Sequence, residues 1–286
     1  MEDKKYYSLR KEMISDEQQM SFENLKKTFL IAYNSLKVGL YFQKYLEETV
    51  SHQDHPISVE NKIFLKLRKD SLYPIEEYLP NYTEEDLFDI IEFLHDHCSK
   101  GLDPGYLTNE TGWNYYGCTE FDDIEGQKHY IELLNPILQE YKHGFEISGS
   151  GHILNLPENG LSNLLEAIIP TDDTENIKNR IDSAILKFRR SKSTHDERFA
   201  AIRELIDVLE FIRPSIKEHL ISDDEKALFN IVNNFGIRHH NQKQKTDYDK
   251  PIWYSWIFYC CLATLHAVLR LAEKKIVFNQ FDENKK

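Results

Sequence analysis

Residues 252–269 read IWYSWIFYCCLATLHAVL, eighteen consecutive positions without Asp, Glu, Lys or Arg. A helix that is apolar all round cannot face water and belongs in a core, an interface or a bilayer. The run only just reaches the lower length limit for a bilayer span. Ser255, Thr264 and His266 interrupt it, and its aromatic residues crowd the first half instead of flanking both ends. It therefore predicts a fully buried helix, in a bundle core or at a dimer interface, and no membrane span. His266, deep in the run, reads as a core histidine with its hydrogen bonds satisfied rather than as a ligand.

The punctuation around this run is helical. Ser21 caps an apolar-periodic stretch over 21–45. TEED opens a second helix over 83–97, with acids in its first turn. Residues 127–141 predict a third, bent or interrupted by Pro136. Acids begin and bases end the segment 172–190, which suits the helix dipole. Thr194 to Glu197 is a capping box for a helix running to Arg213, before Pro214, and Ser222 to Glu225 is another, whose helix stops at Gly236. Pro251 suits the first turn of the apolar helix. Residues 101–126 are rich in Gly, Pro, Asn and Asp and predict loop. Residues 145–156 (FEISGSGHILNL) alternate on both sides of GSG and predict a β-hairpin. That GSG lacks the lysine and length of a phosphate loop.

The expected architecture is mainly α. An acidic N-terminal helical region with one small hairpin spans 1–170. An antiparallel helical bundle spans 171–277, and a disordered tail spans 278–286. Hydrophobic residues at 41% supply enough material for a core. The charged N-terminal stretch has no apolar segment, which predicts no secretory signal. Cys98, Cys118, Cys260 and Cys261 form no CxxC pair, so neither a zinc site nor a disulfide framework is expected, and the expected compartment is the reducing cytoplasm. The whole chain carries −13, which argues against binding nucleic acid by bulk charge. Split near 175, however, it holds 15 bases and 33 acids before the split, and 20 bases and 15 acids after it. The acidity then belongs to the first part.

The most unusual polar stretch is NNFGIRHHN, residues 233–241, followed by Lys243 and Lys245. An arginine fork bonds phosphate oxygens in pairs, and histidine, with an ordinary pKa of about 6.5, exchanges protons near neutrality. Cleaving RNA without a metal needs these two functions, a base for the 2′-OH and a cation for the charge growing on the phosphate. The bland alternative is a solvated loop beside a helix end. Arg203, Glu210 and Arg213 lie on one face of the 194–213 helix, beside its apolar stripe of Phe199, Ile202, Leu205, Leu209 and Ile212. They are either a salt-bridge row or a group in which Glu210 orients a catalytic side chain and the arginines hold RNA. Lys178, Arg180, Lys187, Arg189, Arg190 and Lys192 are either a solvated helix end or a track for an RNA backbone. Trp113, Tyr115 and Tyr116 either stack on bases or pack at home. Glu84, Glu85, Asp86, Asp89 and Glu92 are a charged helix face or a carboxylate cluster for a metal.

The run LFNIVNNFGIRHHNQKQKTDYDKPIWYSWIFYCCLATLHAVLRL, with the upstream RELIDVLEFIRP, resembles the C-terminal helical domain of bacterial abortive-infection proteins of the AbiJ-like group, a HEPN-superfamily domain. YPIEEYL, DLFDIIEFLHDH and NLPENGL resemble the region that accompanies it. The resemblance implies a phage-defence endoribonuclease that needs no metal or other cofactor and leaves a 2′,3′-cyclic phosphate. It implies a homodimer through the C-terminal bundle that unites two arginine–histidine sets in one cleft, with RNA as substrate and an antitoxin or defence-system protein as a further partner. Arg238 would hold the scissile phosphate, and His239 or His240 would be the base or acid. Asn234 and Asn241 would orient them, Glu210 would fix the histidine tautomer, and Lys243, Lys245, Arg203 and Arg213 would bind RNA. The superfamily spaces its histidine four to six residues after the arginine. Here two histidines follow Arg238 directly, while Arg190 with His195 and Arg213 with His219 fit the spacing. The second expectation is thus a non-catalytic dimerising, RNA-binding or sensor module.

Overall fold

Ser21 caps the first helix as its sequence requires, its hydroxyl accepting from the Asn24 N–H at 3.2 Å. The computed structural model describes residues 20–46, 57–108, 112–157, 160–219, 223, 226, 227, 229, 230 and 249–283, with side chains described up to 217 and 274 in the last two long segments. The chain is mainly helical and divides into two compact units, 1–156 and 157–286.

In the first unit α1 (Phe22–Val38) ends at Gly39, and Leu40 takes a φ of 63°. That left-handed residue breaks the helix expected to reach 45. The chain re-enters helix in α2 (Gln43–Leu46), then α3 (Val59–Leu67), α4 (Ile75–Tyr78) and α5 (Glu84–Asp96). The Thr83–Asp86 capping box starts α5. Two small antiparallel ribbons follow where loop was expected. β1 (Lys100–Gly101) pairs with β4 (Phe121–Asp122), and β2 (Gly105–Thr108) pairs with β3 (Asn114–Gly117). Helix α6 (Asp123–Gln139) runs without interruption through Pro136, which falls in its last turn. The 145–156 hairpin forms as β5 (Phe145–Ile147) and β6 (Ile153–Asn155). Its Gly151 has φ 82°, and a Cβ there would sit 2.4 Å from His95 Nδ1, so both backbone freedom and close approach demand glycine. Leu25, Phe29, Leu36, Ile90, Leu94, Tyr130, Leu134 and Leu138 fill the core between α1, α5 and α6.

The second unit begins earlier than residue 171, because Leu165 of α7 (Ser162–Glu166) and Ile169 already pack in its core. A π-type first turn, Thr174–Lys178, leads into α8 (Asn179–Arg189). The Thr194–Glu197 capping box starts α9 (His195–Phe211), and α10 (Arg213–His219) resumes at once with Pro214 in its first turn. Helix α11 (Lys250–Glu283) continues in helical backbone well past 278, where a disordered tail was expected. The capping box at 222–225 and the stop at Gly236 involve residues outside those described.

Helix α9 packs against both α8 and α11, so its buried surface is wider than one stripe. Ala201, Ile206 and Val208 are buried along with Ile202, Leu205 and Leu209, whereas Phe199 is only half-buried. Among the described side chains of α11 the buried ones are Tyr254, Ile257, Phe258, Cys261, Leu262, Leu265, His266, Val268 and Leu269. Their spacing of three and four is a single face. The expectation of a helix buried all round is therefore corrected. Ile252, Trp253, Trp256 and Leu271 are exposed on α11, by 66%, 37%, 45% and 43%. From Lys250 to Lys274 the helix is long and apolar enough to cross a membrane, but half of its most apolar stretch is buried in this core.

Candidate functional site

The start of α11 is built from the chain outward. Asp249 caps it, its carboxylate accepting the Ile252 N–H at 3.2 Å and its carbonyl the Trp253 N–H at 3.0 Å. Phe258 then stacks on Phe188 of α8, centroids 3.9 Å apart and rings nearly parallel at 7°. The Arg198 guanidinium of α9 also lies over the Phe188 ring, 5.4 Å from the centroid. These anchors leave a pocket of about 680 Å³, lined by Leu161, Arg198, Ser255, Trp256, Tyr259 and Cys260, with Pro251 and Ile252 at its rim. Among the described residues Arg198 is the one charged side chain in its wall. Its Nε is buried without a hydrogen-bond partner. Burial raises the Cys260 thiol pKa, so that side chain stays neutral.

Sequence reasoning did not single out Arg198 or this pocket. The signal was present: residues 252, 256, 259 and 260 share one helix face, opposite the buried stripe. Reading the whole run as buried concealed it.

Arg238, His239, His240, Asn234, Asn241, Lys243 and Lys245 lie outside the described residues. Of the supporting group, Arg203 is exposed, while Glu210 and Arg213 are half-buried. Arg203 and Glu210 are seven residues apart on one helix, a rise of about 10 Å. Arg213 sits with its guanidinium 4.3 Å from the centroid of the Phe229 ring. That contact joins the α9–α10 junction to a residue four positions before the 233–241 stretch.

The basic cluster is partly committed elsewhere. Lys178 pairs with Asp182 and Lys187 with Glu204, both at 2.7 Å. Arg180 and Lys192 are exposed, and Arg189 and Arg190 are half-buried. His266 is 5% exposed, but neither ring nitrogen makes a hydrogen bond of ordinary geometry, although the Leu164 backbone lies beside it. It is a core histidine, as expected, yet an unsatisfied one. Burial, then the nearby Arg270 charge, hold its pKa below the ordinary value.

The acidic face of α5 is occupied by structural contacts. Asp86 and Asp89 both pair with Lys69 at 2.8 Å, Glu84 accepts from Tyr141 and Lys142, and Glu92 accepts the Ile153 N–H at 2.7 Å. The loop aromatics split. Trp113 is 75% and Tyr116 54% exposed, whereas Tyr115 is half-buried on the other face of the ribbon. Tyr116 meets the cross-strand Tyr106 edge-on at 5.4 Å. Lys44 and Tyr45 both bond Asp123 at the start of α6, a polar knot that fixes α2 there and lowers the pKa of the carboxyl.

No protein-family model, curated protein or solved structure matches this chain.

Proposed function

We propose that the chain is a phage-defence endoribonuclease whose second unit is a HEPN-type bundle working as a cytoplasmic homodimer. One placement supports this most. Helix α11, which begins nine residues after the RHHN stretch, shares one core with α8 and α9, and the α9–α10 junction carrying Glu210 and Arg213 lies beside Phe229. In this reading His239 or His240 takes the proton of a ribose 2′-OH. The oxygen attacks phosphorus, the 5′-oxygen leaves with a proton from the other histidine, and Arg238 stabilises the phosphorane-like charge. The products are a 2′,3′-cyclic phosphate and a 5′-OH end, with no cofactor required.

The test compares wild type with Arg238→Ala, His239→Ala and His240→Ala for growth arrest and RNA end chemistry, with EDTA in the cleavage assay. Loss of both activities in the folded variants is expected. Toxicity that survives all three substitutions, or folded wild type that cuts no cellular RNA, refutes the assignment. The exposed Ile252, Trp253, Trp256 and Leu271 of α11 favour a second reading, a non-catalytic dimerising or partner-binding module of a defence system. It predicts self-association without RNA cleavage.

A further inference from the structure

We propose that the pocket at the start of α11 binds a small carboxylic acid with an apolar, ring-bearing body, its carboxylate on Arg198 and its ring against Trp256. This does not rest on the ribonuclease reading. About 680 Å³ lies within the usual range for small-molecule sites, which combine apolar walls with few polar groups. Here the walls are mostly aromatic and aliphatic, and among the described residues no acidic side chain lines them. Among the described residues the only cation in the wall is Arg198, which makes no ion pair with any of them. A carboxylate has the planar, two-oxygen form that the fork of a pocket-lining guanidinium matches.

The charge count selects the anion. A single guanidinium, in a wall that also holds the hydroxyls of Ser255 and Tyr259, matches a single negative charge. A phosphomonoester brings more charge and three acceptor oxygens, and the first N–H groups of α11 are already capped by Asp249. The exposure selects the body. Trp256 is 45% and Ile252 66% exposed, so the pocket is an open platform that suits a planar ring, where a long acyl chain needs enclosure. Phe188 behind the guanidinium holds it in place, which reduces the ordering cost of binding.

The experiment uses full-length protein and calorimetric titration with 3-phenylpropionate, its neutral amide 3-phenylpropanamide, and AMP. Saturable binding of the carboxylate with a Kd of about 1 mM or tighter is expected, with the amide and AMP at least tenfold weaker. Arg198→Gln should weaken carboxylate binding by roughly tenfold or more, and Arg198→Lys, which keeps the charge but not the fork, by a smaller factor. Trp256→Ala should weaken carboxylate and amide together. Circular dichroism confirms that each variant is folded. Folded wild type that does not bind the carboxylate, equal binding of the amide, tighter binding of AMP, or unchanged binding in folded Arg198→Gln each overturns the proposal.

Discussion

Gly126→Ala sets two effects of opposite sign against each other. Gly126 lies in the first turns of α6, where glycine normally costs about 1 kcal/mol relative to alanine, so propensity alone predicts stabilisation. Packing predicts the reverse. An added Cβ would lie 2.5 Å from Ser99 Cα and 2.6 Å from both Lys100 N and the Ser99 carbonyl carbon, where ordinary contact begins at 3.4 Å. All three atoms are backbone, so no rotamer change relieves them, and α6 must retreat from the 99–100 segment by about 1 Å. Overpacking of this kind costs about 1–3 kcal/mol in a core with no slack. The retreat also lengthens the contact in which the Cys98 thiol donates to the Gly126 carbonyl, already 3.4 Å. The net expectation is destabilisation on the order of 1–2 kcal/mol, confined to the first unit. Urea unfolding read together with hydrogen exchange of the α6 amides measures it, since exchange keeps the two units apart. Gly149→Ala is the control, because nothing lies within 4 Å of its Cβ. A Gly126→Ala protein more stable than wild type, with α6 exchange slowed, refutes the packing argument.

Phe188→Ala removes a ring that both stacks on Phe258 and backs Arg198, so it should cost about 3–5 kcal/mol in the second unit, read as faster exchange in α8 and α11. Thr194→Ala removes an N-cap whose hydroxyl accepts from the Glu197 N–H at 3.1 Å, and should cost about 1 kcal/mol in α9 on the same readout. His266 has a folded pKa below its unfolded one, so its unfolded form binds the proton first. Stability is then full above about pH 6.5 and falls as pH drops through the lowered native value. His266→Leu should flatten that part of a pH–stability curve, and an unchanged slope refutes the assignment.

What could be read from sequence was local. Capping boxes at Thr83 and Thr194, the Ser21 cap and the GSG hairpin each depend on residues within a few positions of one another, and each forms. What could not be read depended on the neighbours of an element. Nothing in 252–269 says which face meets α8 and α9, so a run uncharged throughout looked uniformly buried, although its outer face carries exposed Trp253 and Trp256. Arg198 looked like one more charge in a helix start until Phe188, ten residues earlier, was placed behind it. The short β1–β4 and β2–β3 ribbons were hidden because Gly101, Gly105 and Gly117 give no alternating apolar signal. For the RNA-cleaving residues expected at 234–245, sequence is the whole of the argument.

The unit boundary alters the electrostatic argument. Drawn at 175, the C-terminal part holds five more bases than acids. Drawn at 156, where packing divides the chain, the second unit also takes in Glu158, Glu166, Asp172, Asp173 and Glu175 and holds 20 bases and 20 acids. The first unit then carries 15 bases and 28 acids, the whole of the chain's −13. A neutral unit gains no long-range attraction for a polyanion from its net charge. Two of its candidate phosphate contacts, Lys178 and Lys187, are already paired with acids. Any RNA binding by this unit therefore has to come from a few local residues, with the shallow dependence on salt that a small number of phosphate contacts produces. A slope of log K against log salt near −2 fits that account. A slope several times steeper would mean that a basic surface has been overlooked.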